Sequence, residues 1–185
     1  MVLAVDLGFE GPDSGASVIR YLDDGVTLKS GYAPGMVGHL VSLHGEYYGS
    51  VWNLRRDFEG KIGREMIEFA ERFTPGRDLF LSLWKDDRMI GAVTIHRTDV
   101  AGPEGYLRWF ILHPGYHGRG LGKILFEEAL DFCKEAGHPG VHLWTFSGLD
   151  RAIGIYERFG FQFTDAVKDD RWGREIEASR YHLGF

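Results

Sequence analysis

Four glycines fall within residues 115–122, in the run LHPGYHGRGLGKILFEEAL, and the pattern turns at once from glycine-dense to helical. Glycines at that density let a ligand approach the main chain, and the unpaired amides of a helix N-terminus together carry about half a positive charge. The combination predicts an anion site. A Walker A loop, G-x-x-x-x-G-K-[ST], fails twice: Ile124 follows Gly122-Lys123, and His117 stands where the first glycine belongs. A dinucleotide fingerprint, G-x-G-x-x-G, fails because Lys123 takes the place of its third glycine. His113 and His117 make no metal pair either, since Pro114 breaks any helix that would stack them and no cysteine or carboxylate stands at ligand spacing, so no metal is expected.

The elements that must position this turn follow from composition and period. A chain of 185 residues, 44% hydrophobic and 14% aromatic, fits one domain with a substantial core. No apolar run approaches the ~20 residues of a membrane span, and the first 25 residues lack a secretion signal, which places the chain in the cytoplasm by expectation. A net charge of −6 argues against a general nucleic-acid binder. The one cysteine, Cys133, lies in a helical stripe and reads as a packed thiol. Residues 1–25, rich in Gly, Asp and Ser, read as an arm, and residues 26–185 as the folded domain.

Within that domain VTLKSGY reads as a strand, followed by two helices. One carries Val37, Leu40, Val41, His44 and Tyr48 on a single face. The other carries Ile62, Met66, Phe69, Ala70 and Phe73, with Lys61, Arg64, Glu65, Glu68 and Arg72 opposite. LFLSLWK and RMIGAVTIHRT form a hairpin about Asp86 and Asp87. GYLRWFILHP is a central strand, apolar on both faces near its end and stopped by Pro114; the glycine turn and a helix follow. The strand VHLWTF, a short helix through Tyr156 closed by Gly160, and the pair FQFTD and IEASRYHLG complete the chain. The expected fold is mixed α/β, a mostly antiparallel sheet of about seven strands with flanking helices. The β-rich C-terminal end offers an edge for a second copy of the chain, a homodimer.

HGRGLG after FILHP resembles the [QR]-x-x-G-x-[GA] acyl-CoA pyrophosphate loop of the GNAT N-acetyltransferase family, and IYERFGF resembles that family's tyrosine-bearing helix and following strand. The segment WTFSGLDRAIGIYERFGF, with the run from Trp172 onward, is similar more narrowly to the acetyltransferase domains fused behind MarR-type regulators. The first motif position is His117 in place of Gln or Arg. The resemblance implies acetyl-CoA as acyl donor. Backbone groups of Phe110, Ile111 and Leu112 would hold its pantetheine arm, and the amides of His117, Gly118, Arg119, Gly120, Leu121, Gly122 and Lys123 its pyrophosphate.

Acyl transfer to an amine requires a proton acceptor, a donor for the oxyanion and an acid for the departing thiolate. By resemblance Tyr156 is the acid and Glu104 the base, against plainer readings as a core aromatic and a strand-start glutamate. SLHGEYYGSVW resembles an H-G-x-x-Y segment of the narrower group and offers His44, Glu46 and Tyr48 to the acceptor; aromatics beside a carboxylate suit a cationic amine. The expected function is acetyl transfer to a primary amine of a small molecule or peptide by direct attack in a ternary complex; a non-catalytic acyl-CoA-binding module is the alternative. Polyamines, amino acids, antibiotics and protein amines all stay open as acceptors.

Overall fold

The computed structural model describes residues 19–97, 102–169 and 175–185. Residues 1–18 of the expected arm, and Trp172 in the last run, lie outside the described residues. The rest forms one sheet of eight strands: β1 (Ile19–Tyr21), β2 (Val26–Ser30), β3 (Leu79–Lys85), β4 (Arg88–Arg97), β5 (Gly105–Leu112), β6 (Gly140–Phe146), β7 (Gln162–Asp169) and β8 (Ile176–Gly184). Their spatial order is β1-β2-β3-β4-β5-β6-β8-β7. Every pairing is antiparallel except β5 with β6. The eighth strand is a correction to the sequence reading. Ile19–Tyr21, assigned above to the arm, pairs with residues 27–29 and forms the sheet's edge, and Arg20 meets Glu128 at 2.5 Å.

Four helices cover the two faces: α1 (Met36–Trp52), α2 (Arg56–Arg72), α3 (Leu121–Glu135) and α4 (Asp150–Arg158). In α2 the stripe begins a turn earlier than expected, with Phe58, and buries Phe58, Ile62, Met66 and Phe69 beside Leu40 and Leu43 of α1. Removing each such side chain from water contributes roughly 2 kcal/mol. These two helices pack on Phe80, Trp84, Met89 and Ala92; α3 and α4 pack on the opposite face, over Leu81, Leu83, Ile90, Val93, Ile95, Val141 and Leu143. Only α3 joins two paired parallel strands, because β8 inserts between β6 and β7.

Cys133 lies in the α3 core, fully buried, and burial pushes its thiol up to about 12. The folded protein is therefore expected to leave its cysteine unmodified by a thiol-specific chromogenic reagent at pH 8, with one equivalent released on denaturation. Rapid labelling of the native state would contradict this packing.

Candidate active site

The site starts from one backbone angle. Trp109, in the middle of β5, has φ of 47°, a left-handed conformation that a bulky residue adopts only under constraint. Across β4 the register jumps at that point, from Thr94 opposite Arg108 to Ala92 opposite Ile111, so Trp109 and Phe110 together face Val93: a β-bulge. The extra residue exchanges the faces of the strand. Leu107 packs toward α3, whereas Trp109 and Ile111 pack toward α1 and α2, and Phe110 and Leu112 turn to the α3 side. This is why the end of the strand reads as apolar on both faces.

Beyond the bulge β5 parts from its parallel neighbour. Pairing with β6 runs from Gly105 with Val141 to Leu107 with Leu143 and goes no further among the described residues, although β6 keeps its β8 partners through Phe146. The gap opens into a cleft of about 1920 Å³. Phe110, Ile111 and Leu112 line it on one side, Trp144, Thr145 and Phe146 on the other, and His117, Gly118, Gly120, Gly122 and Lys123 close one end.

At that end Gly118 and Gly120 have φ of 79° and 76°, and Gly120 is the N-cap of α3. The first amides of α3 therefore face outward, and a Cβ built on either glycine would meet nothing within 4 Å. This open, amide-lined hollow fits a diphosphate. Arg119 lies beside it, 5.2 Å above the Tyr116 ring and 3.8 Å from Asp24, and Leu121 is buried beneath the helix start. His117 has a different task from the phosphate contact its position implied. Its Nε2 lies 2.9 Å from the Leu112 carbonyl, which can accept only from an N–H, so Nδ1 is left to accept from Arg151 at 2.9 Å. The histidine locks the turn to the end of β5 and to α4. Arg151, which lines the cleft, was missed by the sequence reading; its position at the start of an amphipathic helix gave no signal.

Midway along the cleft stands Tyr156, buried among Phe110, Phe126, Phe161 and Tyr181. Burial, with the nearby Tyr48 phenol, pushes its hydroxyl far above the ordinary tyrosine range. A profile of the Acetyltransferase (GNAT) family matches residues 39–161, which contain the turn, the bulge and this tyrosine. The chain belongs to the GNAT acetyltransferase family. It is 29% identical over 149 residues to a mycothiol acetyltransferase of Streptomyces avermitilis, covering 76% of this chain and 44% of that protein. It thus spans less than half of that relative's length, and 27% of an uncharacterized N-acetyltransferase of Methanocaldococcus jannaschii, 36% identical over 64 residues. The fold is shared with an acetyltransferase from Streptococcus agalactiae at a TM-score of 0.68 and 20% identity, covering 88% of this chain and 99% of that one.

The other end of this GNAT cleft is built from α1, α2 and the first half of β5. His44 and Tyr48 line it, their rings stacked at 5.9 Å. His44 holds Nδ1 2.9 Å from the Leu40 carbonyl, so its proton sits there and Nε2 keeps a lone pair. Burial, aided by the positive charge of Arg108, lowers this histidine to about 4 in spite of the Leu40 bond. Glu46 is not in the cleft: it is exposed on the other side of α1, 2.5 Å from Arg88. Lys61 and Glu65, expected on the outer side of α2, are half-buried in the cleft wall, where Glu65 accepts from both Lys61 and Arg108. Glu104 lies outside the cleft lining, its carboxylate 2.9 Å from His182, 3.5 Å from His142 and 3.8 Å from Arg180. Six residues of strand, roughly 20 Å, separate it from Phe110.

His96, under the same sheet face, is lowered to about 2 by burial and by the neighbouring Arg108 and Arg72 charges. In the unfolded chain both histidines titrate near 6.5, so as pH falls from 6.5 toward 4 the unfolded state takes up protons that the native state refuses. Stability is complete above 6.5 and is lost below it, by about 1.4 kcal/mol per pH unit for each histidine. Urea melts between pH 7 and 4.5 should show this slope, and His44→Gln should lower it by about one proton's worth. An unaltered slope would mean that His44 is not held neutral.

Proposed function

We propose that this protein is an acetyl-CoA-dependent N-acetyltransferase that passes the acetyl group directly to a primary amine within a ternary complex. One observation carries the reading: a single cleft runs from the amides at the start of α3, past Tyr156, to an aromatic end walled by α1 and α2. The anion site and the acceptor end thus lie on either side of the buried Tyr156 phenol. In this reading the residue 117–123 turn holds the pyrophosphate and the opened edge at Phe110 and Ile111 holds the pantetheine. The Leu112 carbonyl is engaged by His117 and does not take part. Bound acetyl-CoA supplies the thioester.

Attack by the amine nitrogen forms the C–N bond and breaks the C–S bond, so a proton must leave nitrogen and one must reach sulfur. Tyr156 is protonated at physiological pH and so is available as the donor to the thiolate; the burial that disfavours its anion weakens it as an acid, so the proton moves only as the C–S bond breaks and the sulfur becomes basic. For the nitrogen we propose His44 in place of Glu104. It is neutral, its tautomer is fixed by Leu40, and it lines the acceptor end. A base this weak takes the proton only as the forming C–N bond makes the nitrogen acidic. The protons exchanged by His44 and Tyr156 balance through solvent after release. Within the family, residues 144–161 support kinship with the acetyltransferase domains fused behind MarR-type regulators. A cytoplasmic setting agrees with a lone reduced thiol.

Calorimetric titration with acetyl-CoA should give micromolar binding that ATP does not reproduce, and Gly120→Asp should abolish it, since the new side chain would be strained at positive φ and would set a negative charge in the phosphate hollow. Normal affinity in that variant would remove the loop assignment. Tyr156→Phe should lower kcat about 100-fold with acetyl-CoA affinity unchanged. Equal turnover would discard the phenol as the acid, and binding without turnover across an amine panel would reduce the protein to an acyl-CoA-binding module.

A further inference from the structure

The carboxylate expected to receive a cationic amine does not stand at the acceptor end of the cleft. Its two cations, Lys61 and Arg108, share one carboxylate: Glu65 accepts from Lys61 through Oε1 and from Arg108 through Oε2. Both oxygens of Glu65 are engaged by internal partners. Glu46, the carboxylate that α1 was expected to contribute, faces away toward Arg88. Asp169, also buried on the cleft, stands on β7, three strands across the sheet from β5.

Arg108 is also the residue best prepared to receive a ligand. It directly precedes the bulge, its guanidinium lies 4.3 Å from the Trp109 ring and 5.2 Å from the Tyr106 ring, and it gives one nitrogen to Glu65. Stacking fixes the plane of the fork, so a planar anion meets donors whose conformational entropy is already reduced. Two buried donors among the described residues beside Arg108 have no acceptor. Trp109 Nε1 is buried without a partner, and His96, whose Nδ1 accepts from Arg72 at 2.5 Å, must carry its proton on an equally unpartnered Nε2. The field is felt by its neighbours, since the charge of Arg108 contributes to holding His44 and His96 neutral.

We propose that the acceptor is a small amine that also bears a carboxylate, and that Arg108 holds this carboxylate while Glu65 and the Trp109 ring orient the guanidinium. The proposal rests on the acetyltransferase reading for the amine and on the cleft wall alone for the carboxylate. Three matched probes separate the chemistries: phenylacetate, phenylacetamide and phenethylamine, titrated against the whole chain by tryptophan emission. Phenylacetate should bind at least about tenfold more tightly than either of the others. Arg108→Gln should remove that preference, Arg108→Lys should retain part of it, and acetyl-CoA affinity should be the same in both variants and the wild type. With acetyl-CoA present, amino acids should have a KM about tenfold below that of their amides, a gap that closes in Arg108→Gln. Equal binding of the three probes, tighter binding of the amine, no binding of phenylacetate at millimolar concentration, or an unchanged preference in Arg108→Gln would each overturn the proposal. Should Arg108→Gln fail to fold, the wild-type probe series and Arg108→Lys decide the matter. Absence of acetyl-CoA binding in the wild type would instead sink the acetyltransferase reading and leave a measured carboxylate preference standing.

Discussion

The left-handed turn at Trp109 is the constraint on which the site depends. A non-glycine residue in that region costs about 1–2 kcal/mol, and the cost is met locally by packing. The indole is buried against Phe69 at 5.6 Å and His96 at 6.0 Å, with Arg108 over its other side. The bulge has three geometric results. It ends the parallel pairing that would otherwise seal the sheet, it sends Phe110 toward Tyr156, and it leaves Arg108 at the mouth of the opening. A regular β5 would carry the same side chains on a closed sheet with no cleft between β5 and β6.

Burial does most of the electrostatic tuning in the cleft. Tyr48 and Tyr156 are raised, and His44 and His96 lowered, with desolvation the leading cause in all four. Each group is thereby kept neutral, while fixed charges stand at both ends of the cleft: Lys123 at the start of α3, and the Lys61, Glu65 and Arg108 group at the aromatic end. Desolvated neutral groups beside Tyr156 suit a reaction in which charge develops transiently there, because weakly screened dipoles act at short range.

Much of this was legible in the chain. The glycine turn, the tyrosine helix and the hairpin about Asp86 follow from short-range chemistry, and the structure forms them where the pattern requires. Glu46 shows where the reading went astray. It lies two residues from both His44 and Tyr48, about 200° around a helix, and so must oppose the face those two share. The helical period already contained that answer. Arg108 was also visible, a charged residue within an otherwise apolar strand. The bulge was not, because Trp109 is an ordinary strand residue by type and only the competition between two cores forces it out of the β region. Glu104 drew attention by its position on the right strand, yet one strand spans the whole sheet, and its partners at the far end come from β6 and β8.

His117 ties the glycine turn to Leu112 and, through Arg151, to the start of α4. The turn is thus braced by side chains instead of by whatever occupies it. A loop of bare glycines would have to be ordered by its ligand at a substantial entropic penalty, whereas this one presents its amides already aligned. With histidine where the resembled motif has arginine or glutamine, part of the cost of ordering the turn is met within the fold itself, before anything binds.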